Sequence, residues 1–341
     1  MPSQYSSSVN VYHHASDLPP EVITDFEKHP VTYNTIYPHV LKCKNLEAQG
    51  LSIQDGQMWI VITSYTSEIC IDFVLSCTET RMGKYPIFIV TSRPLSVLSD
   101  DFIAPRLNLL IEELRHDVDD RRIYSVFAQD NVARWFARLW TESTGIDSYR
   151  EPYYAAKLSF CTPSTFINRS STTHPSLTFI VRPAVEDDRC AVAQLCHGFA
   201  SESEPFVLDE QRALDEATDL IRNNIIWVHE VLHPERGTEI ASLVAFTRNS
   251  DAVATITKVY TNPNSRGLGC AQRLVRRVCK HLLQSHDKVA LYVAHNNPAA
   301  SRVYHRVGFI GLDPEIRHIP EGVEFWTEYG FDRGRVDLGH W

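Results

Sequence analysis

The chain predicts an α/β protein of two domains, each built on a mixed β-sheet with helices packed against it. Its 341 residues exceed the need of one ordinary domain and fall short of three. In the second half, three strand-like runs give way to helix, strand and helix, the order of a sheet that starts antiparallel and continues through crossovers. The first half shows the same order about 165 residues earlier, so a tandem repeat is expected. Between them, residues 161–176 are rich in Ser, Thr and Pro and carry a single basic charge. Such a run cannot repay its ordering entropy by burial and reads as a linker. The expected domains are therefore 1–160 and 177–341, joined by 161–176.

Taken in order, helical stretches before residue 50 lead into strands at 58–65, 68–77 and 85–91. A helix over 102–115, a strand over 122–128 and a helix over 132–140 complete the first half. The second half opens with a β-rich run, 177–184, that stops at a proline. Helical spacing follows over 186–200 and 209–223, with Asp209 placed to cap the second helix. Runs 225–232, 240–248 and 253–261 are strand-like, and the turn His233-Pro234-Glu235-Arg236-Gly237 makes the first two a hairpin. A glycine loop then enters a helix that runs to about residue 283. Strand 289–294, a helix over 298–306 and late strands near 324–329 close the chain. In the helix after the glycine loop, Leu274, Val275, Val278, Cys279 and Leu282 form an apolar stripe. Arg273, Arg276, Arg277 and Lys280 fall outside it, open to solvent or to an anion.

Composition narrows the function classes. Hydrophobic residues at 43% and charged residues at 22% exclude wholesale disorder and coiled coil. The net charge of −9 is spread along the chain, with 15 basic and 20 acidic residues in 1–170 against 18 and 22 in 171–341. Neither half is a basic nucleic-acid module. No run reaches the ~18 apolar residues of a membrane span. The N-terminus shows no basic flank or apolar signal core, so a cytoplasmic protein is expected. The eight cysteines are scattered without metal-ligand spacing and read as reduced, small hydrophobes.

The chemistry concentrates in 254–283. There a strand ends at Val259 and Tyr260, a tight turn carries Arg266-Gly267-Leu268-Gly269, and Cys270 and Ala271 open the amphipathic helix. Glycines let backbone amides approach a ligand closely, and a helix start adds unpaired N–H groups and a positive dipole end. A diphosphate suits that setting, although a lone Gly-x-Gly serves an ordinary turn equally well. A second pattern lies downstream in Asn297, Ala300, Tyr304, Gly308 and Phe309. The two patterns, in this order and joined by a helix and a strand, resemble the GNAT superfamily of acyl-CoA N-acyltransferases over about residues 177–330. The closing stretch 330–341 also resembles the tail of fungal tandem GNAT-like proteins.

The resemblance implies a GNAT-like fold, acetyl-CoA as cosubstrate and no metal. It implies that the backbone amides of Arg266, Gly267, Leu268, Gly269, Cys270 and Ala271 hold the coenzyme A pyrophosphate, and that Asn297 belongs to the cofactor site. The strand end at Val259 and Tyr260 would bond the pantetheine arm and diverge from the next strand to make room for the thioester. An acceptor amine would attack the acyl carbon directly in a ternary complex. Tyr304 matches the tyrosine that protonates the departing thiolate, a role open to a phenol of pKa ~10. It also matches a buried aromatic packing on Phe309. The loop between the first two helices would build the acceptor site, where Glu202, Glu204 and Phe206 suit a cationic amine.

The chain departs from the family pattern in several places. Asn264 stands where Gln or Arg is usual, and 291–294 reads Leu-Tyr-Val-Ala, without the glutamate base of N-terminal acetyltransferases. His295, Glu230, Glu239 and Asp251 are weak candidates for the base. In the first half the glycine loop is replaced by the glycine-free 92–101, and Phe136 replaces the tyrosine, so this half is expected to be degenerate. Two classes of function follow: an N-acetyltransferase acting on a small-molecule amine, with a protein or peptide as the other acceptor class, or a non-catalytic acyl-CoA-binding sensor. Neither nucleic acid nor membrane is expected as a partner, and the oligomeric state is not legible.

Overall fold

A computed structural model describes residues 7–65, 67–169, 174–235, 237–315 and 317–340. The chain divides into two compact units, Met1–Ala156 with Glu324–Trp341, and Lys157–Val323.

In the first unit, β1 (Ser7–Tyr12), α1 (Pro20–Lys28) and α2 (Tyr37–Ala48) precede β2 (Met58–Tyr65) and β3 (Ile69–Cys77). A short hairpin, β4 (Glu79–Thr80) and β5 (Gly83–Lys84), leads to β6 (Ile87–Val90), α3 (Asp100–Asp117), β7 (Ser125–Gln129) and α4 (Asp130–Thr144). The β-branched and aromatic runs of β2 and β3 form strands because both of their faces are covered; Trp59, Ile60, Ile62, Phe73 and Leu75 are fully buried. On α4, Val132, Ala133, Phe136, Ala137 and Trp140 face the core, and Gly145 at φ +68° ends the helix in the left-handed conformation glycine adopts freely. Strands β1, β2, β3 and β6 pair antiparallel in that order, and β6 pairs parallel with β7.

The chain passes to the second unit within β8 (Tyr154–Cys161). This unit contains β9 (Thr178–Pro183), α5 (Arg189–Ser201), α6 (Glu210–Arg222), β10 (Ile226–His233), β11 (Gly237–Ala245) and the short β12 (Arg248–Asn249). It continues with β13 (Val253–Ile256), β14 (Lys258–Thr261), α7 (Cys270–Leu282), β15 (Lys288–Ala294) and α8 (Pro298–His305). Asp209 caps α6 as expected, its carboxylate accepting from the Arg212 amide at 2.7 Å. Strands β9, β10, β11 and β14 pair antiparallel, and β13 pairs parallel with β15. The order strand, two helices, three antiparallel strands, helix, parallel strand, helix is thus the same in both units.

They differ at one strand. In the first unit, β6 is paired on both sides along the same residues: Phe88 and Ile89 face Ser76 and Leu75 on one edge and Phe127 and Ala128 on the other. In the second unit the corresponding stretch divides at Thr257, whose amide donates to the Ala245 carbonyl at 2.9 Å. Beyond it, Lys258–Thr261 stays with β11, while before it Val253–Ile256 stays with β15. The sheet therefore forks in the second unit and remains closed in the first.

Several expectations are corrected. The run 253–261 is two strands rather than one, and the boundary falls at residues 156/157 and 323/324 instead of 161–176. The reason for the second lies in what each segment can pair with. The last strand, β16 (Glu324–Gly330), pairs antiparallel with β7 and completes the sheet of the first unit. Its Glu328 is fully buried and accepts from the Ser125 hydroxyl at 2.6 Å. The start of the expected linker is core of the second unit: Cys161 is fully buried, Phe166 packs on the same apolar cluster, and the Ile167 amide donates to the Val307 carbonyl at 2.9 Å. Gly308 (φ +113°) is there because any Cβ would run into the Thr165 carbonyl. Residues 170–173 of that run lie outside the described residues.

Candidate active site

The fork and the glycine loop lie together in the second unit. From Thr261 the chain makes a short turn, Pro263–Ser265, capped by the Asn262 side chain, which accepts from the Asn264 amide at 3.1 Å. Ser265 is buried, its hydroxyl bonded to the Glu239 carboxylate at 2.5 Å. The loop proper follows, with Gly267 at φ +84° and Gly269 at φ +76°, and α7 begins at Cys270. A Cβ on Gly267 would meet nothing within 4 Å, so the space above the loop is open. Among the described residues the amides of Gly267, Leu268, Gly269, Cys270 and Ala271 have no hydrogen-bond partner. Five such donors at the start of a 13-residue helix make an anion cradle. Unpaired amides at a helix start suit an anionic group such as a phosphate.

Val259 and Tyr260 lie on the diverging arm, on opposite faces. Val259 packs with the cluster under α7, and Tyr260 with that under α5 and α6. Tyr260 is held closely: its hydroxyl donates to Glu202 at 3.2 Å, and burial together with that carboxylate raises its pKa. Arg266 stands beside it, its guanidinium 5.6 Å from the Tyr260 ring centroid and 2.6 Å from Glu202. Glu202 is thus brought to the glycine loop. Glu204 is exposed and Phe206 half-buried, farther along the same connection.

Tyr304 is almost wholly enclosed, 5.8 Å from Phe309 between ring centroids. Its cluster includes Ile256 and Val259 from the diverging stretch and Leu291 and Val293 from β15. Burial, with a smaller contribution from Cys279, raises its pKa, so the phenol keeps its proton across the physiological range. Asn297 caps α8, its side chain accepting from the Ala300 amide at 3.0 Å. Cys270 is buried, and that burial pushes its thiol up to about 11, which leaves it unreactive.

The basic residues of α7 are more committed than their spacing implies. Arg276 is buried and clamps the carbonyls of Ile167 and Arg306 at 3.1 and 3.0 Å. Arg273 lies over the Phe179 ring at 4.0 Å, and Arg277 stands 5.8 Å from that of Trp227. Of the proposed bases, Glu230 is paired with Arg182 at 3.0 Å and Glu239 with Ser265, while His295 and Asp251 are exposed. Sequence reasoning missed two features. His229 is fully buried beside Phe179 and Arg273, with no hydrogen-bond partner for either ring nitrogen. Lys258, at the fork, forms a nearly buried ion pair with Glu216 of α6. Neither carries a sequence signal, since each depends on an element distant along the chain.

The counterpart of this site in the first unit is filled by its own side chains. The Gln129 side chain donates through Nε2 to the Thr91 carbonyl at 3.2 Å, bridging the ends of β6 and β7. Glu324 accepts from Thr32, Trp326 and Gln129 at 2.9, 2.8 and 3.2 Å, which fastens the α1–α2 connection over those strand ends. In place of the loop, Arg93 turns toward buried Asp72, 3.6 Å away.

Known proteins share the fold of this chain. Residues 236–318 match the family described as FR47-like protein. Among curated proteins none matches the sequence. A GCN5-related N-acetyltransferase from Sphaerobacter thermophilus is similar in structure with a TM-score of 0.52 at 14% identity, covering 99% of each chain. A Drosophila protein solved by X-ray crystallography reaches 0.60 at 10% identity, covering 95% of this chain and 98% of its own. A tandem GNAT protein from the clavulanic acid biosynthesis pathway gives 0.48 at 12% identity, with 95% and 98% covered. The fold is that of the GCN5-related N-acetyltransferases, present here twice in one chain. These structures give the fungal likeness of the tail no support. Among the described residues no helix is long and apolar enough to cross a membrane, and no three His, Cys, Asp or Glu side chains are placed to share a metal ion.

Proposed function

We propose that the protein is an N-acetyltransferase that moves an acetyl group from acetyl-CoA to the primary amine of a small molecule. The observation that carries this reading is the forked sheet beside a cradle of unpaired amides, built in the second unit and closed off in the first. The amides of residues 267–271 would bind the pyrophosphate, the Arg266 amide being already bonded to the Pro263 carbonyl, and the exposed edge of Val259 and Tyr260 would guide the pantetheine arm into the fork. The amine nitrogen forms its bond to the acyl carbon, the carbon–sulfur bond breaks, and the thiolate takes a proton from Tyr304. The proton lost by the amine passes to solvent or to a base near the fork. His295 and Asp251 are both exposed, whereas Glu230 is held by Arg182 and Glu239 by Ser265. Glu202, Glu204 and Phe206 border the acceptor side and favour a cationic amine.

A second reading, a non-catalytic acyl-CoA-binding module, draws on the enclosure of Tyr304. Thiol release from acetyl-CoA across a panel of small amines, peptides and histones separates the two. Release above hydrolysis with small amines is expected. Binding of acetyl-CoA without release on any acceptor would favour the module.

A further inference from the structure

The contact between Glu202 and Arg266 ties the α5–α6 connection to the loop that forms the anion cradle. Arg266 does not reach into that cradle. Its Nε donates to the Thr261 carbonyl at 3.2 Å, and its terminal nitrogen donates to Glu202 at 2.6 Å. The same carboxylate oxygen accepts from the Tyr260 hydroxyl, so one oxygen serves two donors from two elements. The arrangement is built into the helix beneath it. Gly198 of α5 lies against Tyr260, and a Cβ there would stand 2.7–2.9 Å from the ring and hydroxyl. A glycine inside a helix is less favourable than alanine; here it leaves room for Tyr260 to point its hydroxyl at Glu202.

We infer that the two substrates divide this ion pair, the diphosphate of the cosubstrate taking Arg266 and the ammonium of the acceptor taking Glu202. The inference rests on the acetyl-transfer reading above and adds to it a coupling between the two substrates and a charge for the acceptor. A diphosphate on the loop amides places its negative charge beside Arg266, where it competes with a single carboxylate. Arg266 and Glu202 are each about half exposed, at 49% and 51%, so their pair is held by a few-fold at most and yields to a doubly anionic ligand. Once released, Glu202 keeps the Tyr260 hydroxyl and has one cationic partner fewer. A primary ammonium restores that partner; a neutral alcohol of the same shape does not. The cosubstrate thereby prepares the acceptor site, and acceptor affinity rises when coenzyme A is bound.

Calorimetry on the full chain at low ionic strength tests this with coenzyme A and 2-phenylethylammonium as probes. Glu202→Gln should bind coenzyme A about two- to fivefold tighter than wild type, because Arg266 is then free. The gain should vanish in an Arg266→Gln background, which makes the two substitutions non-additive. Saturating coenzyme A should tighten the amine several-fold in wild type, with no such gain in Glu202→Gln or with 2-phenylethanol. Unchanged or weaker coenzyme A binding in Glu202→Gln overturns the inference, as does amine affinity indifferent to coenzyme A. Wild type that binds no coenzyme A would instead bring down the acetyl-transfer reading and this inference with it.

Discussion

Tyr304 is the buried aromatic that its position in the sequence allowed, and it is also the proton donor of the proposed reaction. It packs on Phe309 within a core cluster, and that cluster includes residues from both sides of the fork. Tyr304→Phe keeps the ring and its packing, so stability and coenzyme affinity should hold while turnover falls ~10²–10⁴-fold with unchanged KM. Because its pKa is raised, steady-state rates should show no alkaline limb from this phenol below about pH 10. His229 makes the opposite kind of prediction. Burial first, and the Arg273 charge second, hold its pKa at about 4, below its ordinary 6.5. As pH falls from 6.5 toward 4 the unfolded chain gains a proton that the folded chain refuses, and stability drops by about 3 kcal/mol across that window. His229→Leu should flatten denaturant midpoints over that range, with no loss at pH 7, since neither ring nitrogen has a partner to forfeit. Tyr304 was legible because it stands in a motif of fixed spacing. His229 was not, because a histidine within a strand gives no sign of which helix will cover it.

At the scale of elements, the glycine loop was legible and the fork beside it was not. Residues 253–261 have unbroken β-character, and nothing local marks Thr257 as the point where the two halves part company. The division is imposed by β11 and β15, each of which holds one half. Gly267→Val should abolish measurable coenzyme A binding in calorimetry. Its Cβ finds no protein atom in its way, so the loss would come from the left-handed backbone and from the volume a ligand needs. Gly308→Ala should act on stability instead, lowering the melting temperature by driving a methyl into the Thr165 carbonyl. The arginines of α7 show a related limit. Helical periodicity places Arg276 outside the apolar stripe, yet its reach to two backbone carbonyls buries it.

For the whole molecule, the repeat was readable in the order of elements, while the place to divide the chain was not. Composition marks 161–176 as a linker, but pairing decides otherwise: Cys161 and Phe166 are needed by the second unit, and β16 by the first. A fragment of residues 157–323 should therefore melt cooperatively by circular dichroism. A fragment of 177–341, cut where composition suggests, should show no sharp transition, having lost 161–167 and gained a strand without a sheet. The placement of β16 also sets a timetable for biosynthesis. At ~5–20 residues per second, roughly 10–40 s separate the emergence of β7 from the ribosome from that of the strand that covers its open edge. During that interval the nascent first unit presents a bare row of peptide N–H and C=O groups. Its native state waits on a strand translated after the whole of the second unit, so the unit begun first is completed only once the second has emerged.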